Sequence, residues 1–99
     1  MATLTHEEFS RHLNTKFRIR LSESEAIESE LTDVSDLLLS ARQERFSLLF
    51  RGPNDKMLSQ GMHAFEHDQM GPFELFIVPI ERADDGIYYQ AVFNRLIKK

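Results

Sequence analysis

The segment Phe73–Phe93, FELFIVPIERADDGIYYQAVF, contains the residues that decide the fold. Its first part, Phe73–Val78, is apolar at nearly every position, which is typical of a strand that is covered on both faces or bends around a closed sheet. The step Asp84-Asp85-Gly86 is a hairpin turn signal, because aspartate followed by glycine supplies the positive φ angles of tight turns. Pro79 lacks a donor for a sheet ladder, so we expect an edge, a strand end or a bulge there. The segment predicts an antiparallel hairpin.

Runs of alternating apolar and polar residues extend this pattern toward the N-terminus. Phe17–Leu21 alternates apolar and basic side chains, and Phe46–Phe50 places aromatic and aliphatic side chains on one face. We predict a strand at each of them, with the second one in the centre of the sheet. Met62–His67 has room for one more short strand. Asp36–Arg45 has neither the two-residue period of a strand nor the 3.6-residue period of a helix. It predicts a continued strand, a bulge or a loop.

The charges of two predicted strands complement each other. If the strand Phe17–Leu21 pairs with the run Ile27–Leu31, basic residues on one strand face acidic residues on the other. Such cross-strand pairs contribute about 0.2–1 kcal/mol each, and we interpret them as a solvated outer face that helps to fix the register. The predicted facing residues are Arg18 and Arg20 on one strand, and Glu28 and Glu30 on the other.

The N-terminal segment carries the signals of a short helix. Thr5 and Glu8 have the spacing of a capping box, and Leu4 with Phe9 has the spacing of a hydrophobic staple. Phe9 and Leu13 lie four residues apart, which gives the helix a narrow apolar stripe. We therefore predict a helix that packs on the strands.

These elements predict one mainly β domain. A chain of 99 residues with 41% hydrophobic and 28% charged residues can bury one core but not two. Five to seven short strands with one leading helix favour a small antiparallel β-barrel or sandwich. We predict a single domain over residues 1–99, in which an N-terminal helical segment, 1–15, packs on a β-barrel core, 16–97.

Composition excludes several classes of function. The formal net charge of −4 argues against binding to nucleic acid, although Arg18, Arg20 and Arg51 beside Tyr88 have the residue types of such a surface. The chain has no cysteine, so it has no disulfide and no thiolate nucleophile. Met1–Glu8 has neither the basic start nor the apolar stretch of a signal peptide, and no apolar run is long enough for a membrane helix. We expect a cytoplasmic protein.

One apparent catalytic motif is HAFEH, residues 63–67, which matches the H-x-x-E-H pattern of zinc proteases. That chemistry needs a helix, where residues four apart can chelate one metal, whereas in a strand they lie about 13 Å apart. The flanking glycine-containing turns favour a strand, with Glu66 on the opposite face from His63 and His67. A metal or ligand role for these two histidines remains an alternative. His6 and His12, on different sides of the predicted helix, are expected to face solvent.

No other catalytic set has a workable spacing. Ser47 and Ser59 lack the strained elbow of a serine nucleophile, and the adjacent carboxylates Asp84 and Asp85 are explained by their turn. No glycine-rich phosphate loop is present. We therefore expect a non-catalytic protein without a cofactor.

The last predicted strand offers the best candidate surface. Tyrosine and arginine are enriched where protein interfaces are energetically decisive, and an outward tyrosine beside an arginine would suit a partner. The predicted partner-binding residues are Tyr88, Gln90, Arg51 and Arg95. We expect a protein partner or self-association, while the alternative is a small-ligand or metal-binding barrel that uses His63 and His67.

Several segments together resemble a family of bacterial proteins described as domain of unknown function 6916. These segments are Phe46–Pro53, Gln60–Gly61, Glu66–His67, Glu74–Ile80 and Tyr89–Asn94. The resemblance implies a bacterial origin and an accessory role beside a phage-tail-like or fibre protein. It implies no enzymatic activity.

Overall fold

The computed structural model describes residues 4–96, which form one short helix and seven strands. The helix is α1 (His6–Arg11). The strands are β1 (Lys16–Arg20), β2 (Ala26–Val34), β3 (Leu38–Leu39), β4 (Gln43–Gly52), β5 (Gly61–His67), β6 (Gly71–Ala83) and β7 (Gly86–Leu96). Residues 1–3 of the predicted helical segment and residue 97 of the predicted barrel core lie outside the described residues.

The strands form an antiparallel barrel that closes through β2 and β4. The strand order is β2-β1-β5-β6-β7-β4-β3, and an additional ladder joins β2 to β4, for example at Leu31 and Phe50. Six strands therefore complete the ring, while the two-residue β3 follows β2 along the same edge of β4 and pairs with the start of that strand. The prediction of a small antiparallel β-barrel with an N-terminal helix is confirmed.

Strand β6 bends so that its two halves pair with different neighbours. Gly71–Ile77 pairs with β5, and Val78–Ala83 pairs with β7. The register of the second ladder shifts between Pro79 and Glu81. A bulge at this point fits the missing N–H of the proline, as predicted, and it increases the local twist that closes a barrel.

Aromatic side chains fill the interior of the barrel. Phe17 and Phe50 meet edge to face with ring centroids 5.3 Å apart, and Phe50 and Phe65 lie 5.0 Å apart. Such pairs add to the free energy gained by burying their area. The buried hydrophobic core contains Phe9, Phe17, Ile19, Leu31, Phe46, Leu48, Phe50, Leu58, Phe65, Met70, Leu75, Ile77, Ile87, Tyr89 and Ala91.

The helix α1 closes one end of the barrel with the side chain of Phe9. Thr5 caps the helix by accepting a hydrogen bond from the Glu8 backbone N–H at 3.1 Å, as the capping box predicts. The fully buried Phe9 ring lies 5.8 Å from the ring of Phe73 on β6 and 5.6 Å from that of Phe93 on β7. Phe9 therefore fills the space where the pairing of these two strands has ended.

The other end is covered by the loop that follows β4. Leu58 of this loop is buried, and its backbone N–H donates to the hydroxyl of Tyr89 at 2.9 Å. Tyr89 is itself buried in the core. Its ring therefore packs inside the barrel while its hydroxyl holds the loop in place.

One sequence prediction about the first two strands is corrected. Arg18 does face Glu28, but Arg20 faces Ala26, and it is Lys16 that faces Glu30. The predicted register was therefore wrong at Arg20, because the tight turn after β1 sets the alignment. The guanidinium groups instead contact acidic residues on the other side of β1: Arg18 and Arg20 both bind Glu66 on β5, and Arg18 also binds Asp68 in the turn after β5.

The structure also decides two further predictions, one about Asp36–Arg45 and one about the helix. Asp36–Arg45 is neither one strand nor one loop: it holds the short strand β3, a turn and the start of β4. The expected stripe of Phe9 and Leu13 does not form, because α1 ends at Arg11 and Leu13 is exposed.

We expect Phe9→Ala to lower the free energy of unfolding by about 3–5 kcal/mol, because it removes a ring from a closed core and leaves a cavity. Urea denaturation measures this change. The control is Leu13→Ala on the same segment, where the side chain is exposed and a change within about 0.5 kcal/mol is expected. If both variants lose the same small amount of unfolding free energy, Phe9 does not close the barrel.

Candidate functional site

Tyr88 and Arg51 face each other on the outside of the barrel. They are directly paired in the ladder between β4 and β7, as Glu30 is paired with Arg51 in the ladder between β2 and β4. Arg51 Nη2 lies 2.7 Å from a carboxylate oxygen of Glu30, and Arg51 Nη1 lies 3.5 Å from Asp85. The Tyr88 hydroxyl donates to the same Asp85 carboxylate at 2.7 Å, and this bond raises the pKa of Tyr88. We call Glu30, Arg51, Asp85 and Tyr88 the polar cluster.

An open cleft of about 570 Å³ lies beside the polar cluster. Its charged lining has both signs and is largely paired: Lys16 lies 3.8 Å from Glu28, and Arg51 contacts Glu30 and Asp85. Paired charges at a surface offer a ligand little uncompensated potential. The cleft therefore has no strong preference for an anion or a cation.

Arg95 is not part of this surface. Arg95 lies two residues after Phe93 on β7, so its side chain is on the same, inward face of the strand. Its guanidinium lies 5.4 Å from the centre of the Phe93 ring and 5.9 Å from that of Phe46. A salt bridge of 2.9 Å joins it to Glu44. The structure thus brings Tyr88, Gln90 and Arg51 onto one outer face, while Arg95 lies seven residues further along β7 on the opposite face.

Next to Gln90, exposed apolar side chains form a continuous outer patch. Met62 and Phe76 are directly paired between β5 and β6, and they are 61% and 50% exposed. Val78 lies two residues after Phe76 on the same face and pairs with Gln90, which in turn lies two residues before the 59% exposed Val92. We call Met62, Phe76, Val78, Gln90 and Val92 the outer patch.

Sequence reasoning missed most of this patch for a physical reason. Phe73–Val78 is apolar on both faces, so its pattern does not show which side chains point outward. Only the register with β5 places Phe76 outside beside Met62. Gln90 was identified because alternation along β7 is clear.

The two histidines of the HAFEH segment do not converge on one site. The segment is the strand β5, as predicted, so the histidines lie about 13 Å apart along it. Glu66 points to the other face, where it binds Arg18 and Arg20. The His63 ring N–H donates to the carbonyl of Ser59 at 2.8 Å. Among residues 4–96, no group of three or more metal-ligating side chains comes together.

His67 is a buried structural residue whose hydrogen bonds define its protonation. Its Nδ1 accepts the backbone N–H groups of Gln69 and Met70 at 3.1 and 3.2 Å. The Thr15 hydroxyl donates to the His12 carbonyl, so it accepts the N–H of His67 Nε2 at 2.9 Å. The neutral ring with its proton on Nε2 satisfies all of these bonds. Burial, followed by the neighbouring His12, lowers the pKa of His67 below 6.5.

The expectation that His6 and His12 face solvent was wrong. The His6 ring donates to the Ser35 carbonyl at 2.8 Å and meets Phe46 edge to face. The His12 ring lies 4.5 Å from the ring of His67. Both rings pack against the barrel end, His6 from the first residue of α1 and His12 from its C-cap, and the spacing of the two residues along the chain does not show these contacts.

Comparison with known proteins gives one match. The sequence model of a family described as Domain of unknown function (DUF6916) matches residues 4–93. No curated protein and no solved structure matches the chain. Within residues 4–96, the single short helix has neither the length nor the apolar character needed to cross a membrane.

We expect the free energy of unfolding to fall as the pH decreases below 6.5, because the unfolded chain binds a proton at His67 more readily than the folded protein does. The contribution of neutral His67 to the free energy of unfolding is complete above pH 6.5. It is lost as the pH falls toward the lowered pKa of His67. One proton limits the slope to about 1.4 kcal/mol per pH unit. Urea denaturation between about pH 7.5 and 5.5 measures it.

The variant His67→Gln removes the titrating ring, so its unfolding should depend less on pH over this range. His63→Gln on the same strand is the matched control and should keep the dependence of the original protein. The reverse result, in which only the His63 variant loses the dependence, would contradict the assignment to His67.

Proposed function

The chain belongs to the DUF6916 family of domains of unknown function, and we propose that it is a non-catalytic protein-binding domain that docks another protein on the outer patch. The observation that supports this proposal is the exposure of Met62, Phe76 and Val92 on one continuous sheet face. These side chains lie on the outside of a closed barrel, so the packing of its core does not explain why they are apolar.

The outer patch can supply binding free energy. Complete burial of a large apolar side chain contributes about 1.5–3 kcal/mol, and the patch holds three that are at least half exposed. Part of this gain offsets the loss of rotational and translational freedom on association. The patch therefore suits a specific contact in which a few residues provide most of the affinity.

The chemistry of the patch indicates the character of the partner. Methionine and phenylalanine are enriched in the cores of protein interfaces, whose rims are polar. Around the outer patch lie exposed Glu74 and Asn94 and the half-buried Tyr88 of the polar cluster. The partner that fits is a protein surface with a central apolar cluster ringed by hydrogen-bonding groups.

The small-ligand or metal-binding alternative has weaker support. The barrel interior is packed with aromatic rings, and His67 uses both ring nitrogens in hydrogen bonds to the protein itself. A ligand there would have to displace core side chains, which costs several kcal/mol. We therefore favour the outside of the barrel. A bacterial origin and a link to fibre proteins stay predictions, because the description of the family assigns neither.

Affinity capture from an extract of the source cells tests the proposal. Immobilised protein should retain a partner that the double variant Phe76→Glu/Val92→Lys does not, because the variant places charges at the centre of the apolar face. The opposite signs of the two new charges keep the net charge unchanged. Quantitative mass spectrometry compares the retained proteins, with an expected loss of about tenfold or more.

The matched control is Leu13→Glu/Met57→Lys, which introduces the same charges at exposed apolar positions outside the outer patch. It should retain the partner as the original protein does. Circular dichroism verifies that both variants are folded. Retention that is equal for all three proteins, or lost only in the control, would refute docking on the outer patch.

A further inference from the structure

The first residues of β2 have a neighbouring strand on one side only. The strand begins at Ala26, but its ladder with β4 includes no residue before Glu30, which pairs with Arg51. Residues 26–29 therefore pair with β1 and, among the described residues, with no strand on their other side. The open cleft of about 570 Å³ lies along this side, between residues 27–30 of β2 and the segment from Arg51 to Lys56.

The alternation of hydrogen bonds shows which backbone groups of β2 face the cleft. In an antiparallel ladder, every second residue directs both its N–H and its C=O at the same neighbour. The N–H of Leu31 donates to the carbonyl of Thr15 at 3.1 Å, so the odd-numbered residues of β2 bond toward β1. The backbone groups of Ala26 and Glu28 point into the cleft instead. Among the described residues, none of them has a hydrogen bond to the opposite wall.

Pro53 is the physical reason that the ladder between β2 and β4 ends. The next hydrogen-bonded pair of this ladder would join Glu28 to Pro53. Proline has no N–H to donate to the carbonyl of Glu28. The side chain of Asn54 then donates to the carbonyl of Asp84 at 2.8 Å, which holds the loop against the hairpin between β6 and β7. The cleft therefore opens where β4 would have continued.

We propose that the cleft binds an extended peptide segment of another protein, which pairs with residues 26–29 of β2 as an added strand. The main chain of such a peptide has alternating donors and acceptors that match the free groups of Ala26 and Glu28. From Ala26 to Glu30 an extended strand covers about 13 Å, so about four peptide residues fit along it. The cleft shares no residue with the outer patch, so the inference does not rest on the proposed function.

The walls of the cleft suit a neutral main chain better than a charged ligand. Charges beside the free groups are already paired, as in the contact of 3.8 Å between Lys16 and Glu28. A peptide main chain has no net charge and needs only the hydrogen-bonding groups that β2 offers. Ile27 lies between the two free residues, faces inward and packs against the core. It therefore favours a peptide with apolar side chains at alternate positions.

A display library of random linear peptides, selected on the immobilised full chain, tests the proposal. Enriched peptides should have apolar residues at every second position of the bound segment. Only a few main-chain hydrogen bonds hold the peptide, so dissociation constants on the order of 10–100 µM are expected. Fluorescence anisotropy of labelled peptides measures them.

Glu28→Pro removes a free N–H and places the proline ring in the cleft, while the bonds of its neighbours to β1 remain. It should weaken binding about tenfold or more. The matched control is Glu28→Ala, which changes the side chain but keeps the backbone groups, and it should bind within about threefold of the original protein. Circular dichroism verifies that both variants are folded.

Backbone N-methylation of an enriched peptide tests the pairing without any change to the protein. Methylation of alternate amides in the bound segment should abolish binding, because only those amides face β2. Methylation of the amides between them should have little effect.

The proposal is overturned if no peptide is enriched, if Glu28→Pro binds as well as Glu28→Ala, or if N-methylation has the same effect at every position. The variant Phe76→Glu/Val92→Lys separates the two proposals, because it should bind the peptide normally. If it loses the peptide while Glu28→Pro keeps it, the peptide occupies the outer patch and the cleft is not its site.

Discussion

Closure of the sheet through β2 and β4 is the constraint on which the rest of this structure depends. Once Leu31 pairs with Phe50, six strands form a ring and their inward side chains must fill a fixed volume. Rings of phenylalanine fill it, and the ends are closed by Phe9 and by the loop that Tyr89 holds. The small interior is therefore a packed core, as expected for a barrel of this strand number.

A packed interior moves the candidate functions to the outside. The histidines that resemble a metal site are used for packing and for holding turns, as the four hydrogen-bonding contacts of His63 and His67 indicate. The charged outer face between β1 and β5 is paired within the molecule at Arg18 and Arg20. The large apolar side chains that remain exposed include those of the outer patch and the two leucines of β3.

The sequence predicted those elements whose pattern is local. The capping box, the hairpin turn at Asp84–Gly86, the strand at Met62–His67 and the irregularity at Pro79 all follow from nearby residues, and the structure has each of them. Register is not local, which is why Arg20 was placed opposite the wrong residue. The packing of His12 against His67 and the exposure of Phe76 depend on which elements pack together, and periodicity along one segment contains no such information.

The central claim is that the domain acts by contact through the outside of its barrel, at the outer patch. The most direct test is a methyl NMR spectrum of the labelled protein, recorded while unlabelled extract of the source cells is added. The account predicts loss of intensity at Met62 and Val92, while the equally exposed Met57, which lies outside the patch, stays unchanged. Loss of intensity at Met57 with no change at Met62 and Val92 would contradict it.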